Sequence, residues 1–133
     1  MNESIFLDNA DQSLEAIDKK ARELSIKGVA VVAFIPGEVT ASWVSKMKVV
    51  GTLADERANY LAIAGTKAAE MAVKLQNSGM SNDPPLKGET GYKGGQIEKV
   101  KSGYILVSFS GGPSELDLVA GKAGMEILVR AMK

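Results

Sequence analysis

The sequence predicts an α+β domain in which helices pack an antiparallel sheet, in the order helix, β-hairpin, helix, β-hairpin, helix. Three observations carry that expectation. Apolar residues recur at helical spacing in three separate stretches. Between them lie two pairs of strand-like runs, each pair joined by a short turn, which makes its members antiparallel neighbours and not the arms of a Rossmann-type crossover. The length of 133 residues suits one domain spanning the chain, and folding at this size buries roughly two-thirds of the unfolded surface without help from a disulfide or metal.

Ala10, Leu14, Ile17, Ala21 and Leu24 step by four and three, so a first helix is expected from Asn9 to Lys27. Glu15 with Lys19 and Asp18 with Arg22 would pair along its wet side. Gly28 tolerates positive φ and is expected to end it. Val29 to Ile35 is an unbroken apolar run, the mark of a central strand covered on both faces. Pro36-Gly37-Glu38 turns the chain into an alternating stretch, with Ala41, Trp43, Ser45 and Met47 on one side and Thr40, Ser42, Val44 and Lys46 on the other.

Thr52 to Asp55 has capping-box spacing and opens a second helix, whose apolar face would collect Ala58, Leu61, Ala62, Gly65, Ala68, Ala69, Ala72 and Leu75. That helix should stop near Ser78-Gly79. Asn82, Asp83, Pro84-Pro85 and Gly88 then make Met80 to Gly91 the longest loop. Tyr92 to Val100 reads as a weaker strand broken at Gly94-Gly95, and Lys101-Ser102-Gly103 turns into the strong strand Tyr104 to Ser110. Ser114 and Asp117 repeat the capping-box spacing, and Leu116, Val119, Ala120, Ala123, Ile127, Leu128 and Ala131 mark a closing amphipathic helix.

Composition excludes more chemistry than it suggests. The chain has 0 Cys and 0 His, which removes thiol nucleophiles, Cys/His zinc sites, Ser-His-Asp triads, imidazole acid-base catalysis and His-ligated haem. Basic and acidic residues balance at 16 each, so neither nucleic acid nor an anionic membrane is an expected partner. Met1 to Leu7 lacks the basic flank and apolar run of a signal peptide, and no stretch has the length of a membrane span, so a cytoplasmic protein is expected.

Chemistry has few places to sit. The segment Ser110-Gly111-Gly112-Pro113-Ser114 joins the strongest strand to a helix start, where backbone N–H groups and the helix dipole can hold a carboxylate or phosphate. The competing reading is that the glycines only turn the chain while Ser114, Glu115 and Asp117 cap the helix, their charges opposing an anion. Gly94-Gly95 marks either a bulge or a close approach of backbone to a ligand. Lys67, between Ala64 and Ala68, is a candidate buried amine for anion binding or a Schiff base, although a lysine usually sends its ammonium to water, and that is the expectation for it. Trp43, Met47 and Phe109 would line an apolar pocket or, as preferred, form plain core. Asp55, Glu56, Glu115 and Asp117 make a carboxylate metal site only if the fold unites them. Lys93, Lys99 and Lys101 read as a solvated strand face.

Several of these segments together resemble the GlcG/HbpS family of small bacterial proteins, which includes the C-terminal domain of PduO-type proteins. The resemblance runs through Gly28 to Val32, Ala64-Gly65-Thr66-Lys67-Ala68, Gly94-Gly95-Gln96-Ile97, Ser102-Gly103, Ser110-Gly111-Gly112, Asp117, Ala120 and Ala123-Gly124. It implies profilin-like α-β-α layers around a five-stranded antiparallel sheet, assembly from dimers up to octamers, and a repertoire that includes haem or iron binding and service beside corrinoid or glycolate metabolism. The chain departs from the haem binders in lacking His, and from the family's R-M-D-G-A-like stretch at Lys46 to Gly51, where the acid is lost. The expected function is a small-ligand or cofactor-binding accessory module, with the ligand and any cofactor unnamed and with Lys67, Gly94, Gly95, Ser110, Gly111, Gly112 and Ser114 as its binding residues. An enzyme in which Lys67 or Tyr92 handles a proton, and a purely structural oligomer, are the alternatives.

Overall fold

The computed structural model describes residues 2–53 and 57–133. Its elements run α1 (Asn2–Glu23), β1 (Gly28–Pro36), β2 (Val44–Val50), α2 (Tyr60–Lys74), β3 (Gly95–Val100), β4 (Gly103–Ser110) and α3 (Ser114–Ala131). This is the expected order. The strands form one antiparallel sheet in the order β2-β1-β4-β3, with Val31 opposite Met47 and Ser108, and Leu106 opposite Ile97. The sheet has four strands among the described residues, not five: the sequence spells out two hairpins, and no further strand-forming run pairs with an edge.

β1 is buried along its length and sits between two neighbours, as an uninterrupted apolar run requires. Its alternate side chains serve opposite layers. Ala30, Val32 and Phe34 join Ile105, Val107 and Phe109 beneath α1 and α3, where Phe6 stacks on Phe34 with ring centroids 6.1 Å apart. Val29, Val31, Ala33 and Ile35, with Leu106, face Ala64, Ala68, Met71 and Ala72 of α2. The result is two helices, a sheet and one helix in three layers.

Element boundaries moved where local chemistry competed with periodicity. α1 begins earlier than Asn9 because Phe6 extends the buried stripe by one turn. It ends before Lys27, with Ser25 left-handed (φ 58°), Ile26 N–H bonding Ala21 C=O and Ser25 N–H bonding Arg22 C=O. That is a Schellman closure without glycine, and Gly28 instead opens β1. The capping box at Thr52 to Asp55 falls partly on 54–56, outside the described residues. α2 is capped by Asn59, whose side chain accepts from Ala62 N–H at 3.1 Å. The buried residues of α2 are Ala64, Lys67, Ala68, Glu70, Met71 and Ala72, so Leu61, Ala62 and Ala69 lie outside the buried set. In α3 the stripe is Asp117, Ala120, Gly121, Gly124, Met125 and Leu128, which leaves Val119 exposed.

β2 explains why Trp43 and Met47 are exposed and not core. Its inward residues meet α1 through ion pairs, Lys46 to Asp11 at 2.9 Å and Lys48 to Asp18 at 3.1 Å. Its other face, with Ser45, Met47 and Val49, is exposed on the α2 side of the sheet. Phe109, by contrast, is fully buried in the core.

α1 and α3 approach so closely that Ser13 Oγ donates to Gly124 C=O at 3.0 Å. A Cβ on Gly124 would lie 2.6 Å from Ile17 Cδ1 and from Ser13 Oγ. Gly124→Val is therefore expected to cost about 1–3 kcal/mol in urea unfolding through overpacking. Gly65→Ala, whose Cβ would meet only Met47 Cε at 3.7 Å, should instead gain roughly 0.5–1 kcal/mol from helix propensity. Partial burial raises the Asp18 carboxyl, but hydrogen bonds from Arg22 and Lys48 outweigh it and hold the group below its ordinary value. A depressed carboxyl stabilises above its unfolded pKa and loses that contribution as pH falls through the folded value. Asp18→Asn should thus cost about 0.5–1 kcal/mol at neutral pH, an exposed-pair magnitude, and the difference from wild type should shrink as acid denaturation is carried below the ordinary carboxylate range.

Candidate functional site

α2, the end of β4, the start of α3 and the chain entering β3 converge at one point. Ser108 Oγ donates to Ala64 C=O at 2.8 Å, which sets α2 across β4. One turn further along, Lys67 reaches the strand's end and donates from Nζ to Phe109 C=O at 2.9 Å and to Asp117 Oδ2 at 3.3 Å. Asp117 Oδ1 accepts the Gly112 N–H at 3.0 Å. The lysine and the aspartate are 3% and 2% exposed. The expectation that Lys67 extends into water is overturned: it shares the buried stripe of Ala64 and Ala68, whose small side chains let α2 lie close to the sheet.

Burial lowers the Lys67 amine, opposed by the charge and hydrogen bond of Asp117 and by the charge of Glu70. Burial likewise raises the Asp117 carboxyl, opposed by Lys67 and by the Gly112 N–H. Both shifts have one physical cause, the loss of water around a charge.

The pair exists because Gly94 has no side chain. Gly94 has φ 122°, and a Cβ there would lie 2.6 Å from Lys67 Nζ and 3.2 Å from Asp117 Cβ. Gly95 opens β3, where a Cβ would meet Met71 Cε at 2.7 Å and Ser78 Oγ at 2.9 Å. The doublet is thus a close approach of backbone to the protein's own side chains, and neither glycine lines the adjoining cleft.

That cleft holds about 420 Å³ and is lined by Lys67, Asp117, Ser110, Gly111, Gly112 and Ser114, with Tyr60, Ile63, Gly91, Tyr92 and Lys93. The structure therefore gathers Lys67 and the whole glycine turn of the expected set, together with Tyr92. The capping reading of Ser114 does not hold. The N-cap is Pro113, which makes no side-chain cap bond, and Ser114 is the first helical residue. Asp117 bonds back to Gly112 instead of closing a box with Ser114. The N–H groups of Ser114 and Glu115 have no acceptor among the described residues, as a proline cap leaves them.

Sequence reasoning missed Glu70. It is 6% exposed, and its Oε1 accepts the N–H groups of Thr90 at 2.9 Å and Gly91 at 2.6 Å. This straps the loop that carries Tyr92 and Lys93 to α2. Its Oε2 is buried with no partner among the described residues, beside a second cavity of about 300 Å³. The available signal was its position three residues after Lys67, on one helical face.

The other candidates separate. Lys93 is exposed at the cleft, Lys101 is exposed, and Lys99 pairs with Glu38 at 2.8 Å. Glu115 faces outward while Asp117 turns in, and Asp55 and Glu56 lie outside the described residues. Among the described residues no three acidic side chains group as metal ligands would, and no helix is long and apolar enough to cross a membrane.

An antiparallel sheet between helical layers, with a lysine–aspartate pair under a glycine turn, defines the class as a layered α+β protein with a small polar cleft. No family model matches the sequence, and no curated protein does. Among solved structures the chain resembles protein ORFY of Klebsiella pneumoniae, a DUF336 protein, with a TM-score of 0.63 and 17% identity over 92% of this chain and 88% of that one. The likeness is one of fold.

Removing one partner of a buried ion pair strands the other charge. Lys67→Met is expected to cost about 3–5 kcal/mol in chemical denaturation, and the double variant with Asp117→Asn should cost less than the sum of the two single changes. Strict additivity would contradict the coupling described here.

Proposed function

We propose that this chain is a GlcG-like small-ligand-binding protein of the cytoplasm that holds a small anionic metabolite, a carboxylate or an oxo acid, in the cleft between Lys67 and the start of α3. The observation that carries the reading is a buried ammonium in the wall of a cleft that also receives a helix N-terminus. The dipole of α3 and Lys93 supply positive potential there, and Lys67 brings an amine donor whose charge Asp117 balances. The negative charge of Asp117 is engaged by Lys67 and the Gly112 N–H, while the Ser114 and Glu115 N–H groups remain available. A volume of about 420 Å³ lies at the small end of ligand sites and suits a metabolite. Tyr60 and Tyr92 offer apolar ring surface to it.

The exposed apolar residues Met47 and Val49 of β2 and Leu61 of α2 support association into a homo-oligomer, because a patch of this kind favours burial against another surface. With no imidazole or thiol in the chain, an accessory role beside the enzymes of a metabolic operon is the fitting one.

A thermal-shift screen against small mono- and dicarboxylates, oxo acids and inorganic phosphate tests the reading. At least one class should raise the melting temperature with a saturating dose dependence, and Lys93→Glu should weaken the response without lowering the ligand-free melting temperature. No stabilisation by any of these classes would overturn the proposal.

A further inference from the structure

Resting on the binding reading above, we propose that Lys67 captures a carbonyl-bearing ligand covalently as an imine, with Asp117 as the group that supplies and recovers the proton. The ligand class this selects is a small 2-oxo acid, its carbonyl carbon at Lys67 and its carboxylate toward Lys93 and the start of α3.

The geometry fits this chemistry in four respects. Lys67 Nζ and Asp117 Oδ2 are 3.3 Å apart, so a proton passes between them with little movement of heavy atoms. Both groups are almost entirely withdrawn from water, where a neutral amine with a neutral acid competes with the ion pair. Phe109 C=O holds one amine hydrogen and fixes the nitrogen at the wall of the cleft. Gly112 N–H engages Oδ1, which leaves Oδ2 as the oxygen that carries the proton. Burial pushes the amine down and the carboxyl up, in the direction a nucleophilic lysine and its acid need. Glu70, three residues along α2, opposes this by favouring the ammonium. Tyr92 and Lys93 are the titratable groups brought by the loop.

The step balances without an oxidant or reductant. After Lys67 passes its proton to Asp117, the nitrogen lone pair forms a bond to the carbonyl carbon, and the π pair moves onto oxygen, which takes the proton from Asp117. The nitrogen returns a proton to Asp117, which then protonates the departing hydroxyl. Water leaves, and a protonated imine stands beside the Asp117 carboxylate in place of the original ion pair. The net change is ketone plus amine to imine plus water.

The test is reductive trapping of the folded chain with glyoxylate, pyruvate or 2-oxoglutarate and cyanoborohydride, read by intact mass and peptide mapping. At limiting oxo acid the adduct should fall on Lys67 ahead of the exposed lysines. It should be absent from Lys67→Arg and slowed roughly 100-fold in Asp117→Asn, as expected for loss of the proton-transfer group. The native protein decides the matter even if a variant does not fold, because mapping reads Lys67 among all other lysines. Labelling spread over the exposed lysines with Lys67 unmodified would overturn the inference. If lactate and pyruvate both raise the melting temperature while no adduct forms at Lys67, the covalent step fails and the binding reading stands. If no carboxylate, oxo acid or phosphate stabilises the protein and no adduct forms at Lys67, both fall.

Discussion

The ion pair between Lys67 and Asp117 joins the two sides of the sheet. Lys67 belongs to α2, which covers one face, and Asp117 to the first turn of α3, which covers the other. They meet around the end of β4 with almost no exposure. Withdrawing two charges from water costs several kcal/mol for each, and only near-complete hydrogen bonding offsets it. Here the Phe109 carbonyl and the Gly112 amide supply the extra partners. The pair consequently acts less as a source of stability than as a requirement on position. α2, β4, α3 and Gly94 each have to be in place for its charges to be satisfied.

That requirement shapes the cleft. The turn through Gly111 and Gly112 is held by a side chain from the helix it leads into, so the Gly112 amide is used internally, while those of Ser114 and Glu115 have no acceptor among the described residues. Glu70 performs a parallel task with its Oε1, tying the loop at Thr90 and Gly91 to α2 and carrying Tyr92 and Lys93 to the opposite wall. Of these two acidic residues, Asp117 lines the cleft and is engaged by Lys67 and the Gly112 N–H, while Glu70 lies outside that lining, beside the second cavity.

The edge of the sheet follows a different logic. β2 is fixed to α1 by ion pairs on its inward face and leaves Met47 and Val49 outward. Lysines along an edge strand discourage pairing with a stray strand, while Met47 and Val49 stay exposed on the outward face.

Patterns with a period were legible in the sequence. The apolar run of β1, the two hairpins and the three helices follow from side-chain spacing, because burial of a face enforces a repeat of 2 or 3.6 residues. So was the glycine turn that leads from β4 into α3. The phase of each helix was less legible: alanines lie on several sides of α2, and only which of them meet the sheet decided that Lys67 points inward and Leu61 outward. The roles of Gly94, Asp117 and Glu70 were not legible. Their partners are distant in sequence, and whether a charged side chain is buried depends on a complementary group that tertiary packing alone brings within a few ångströms.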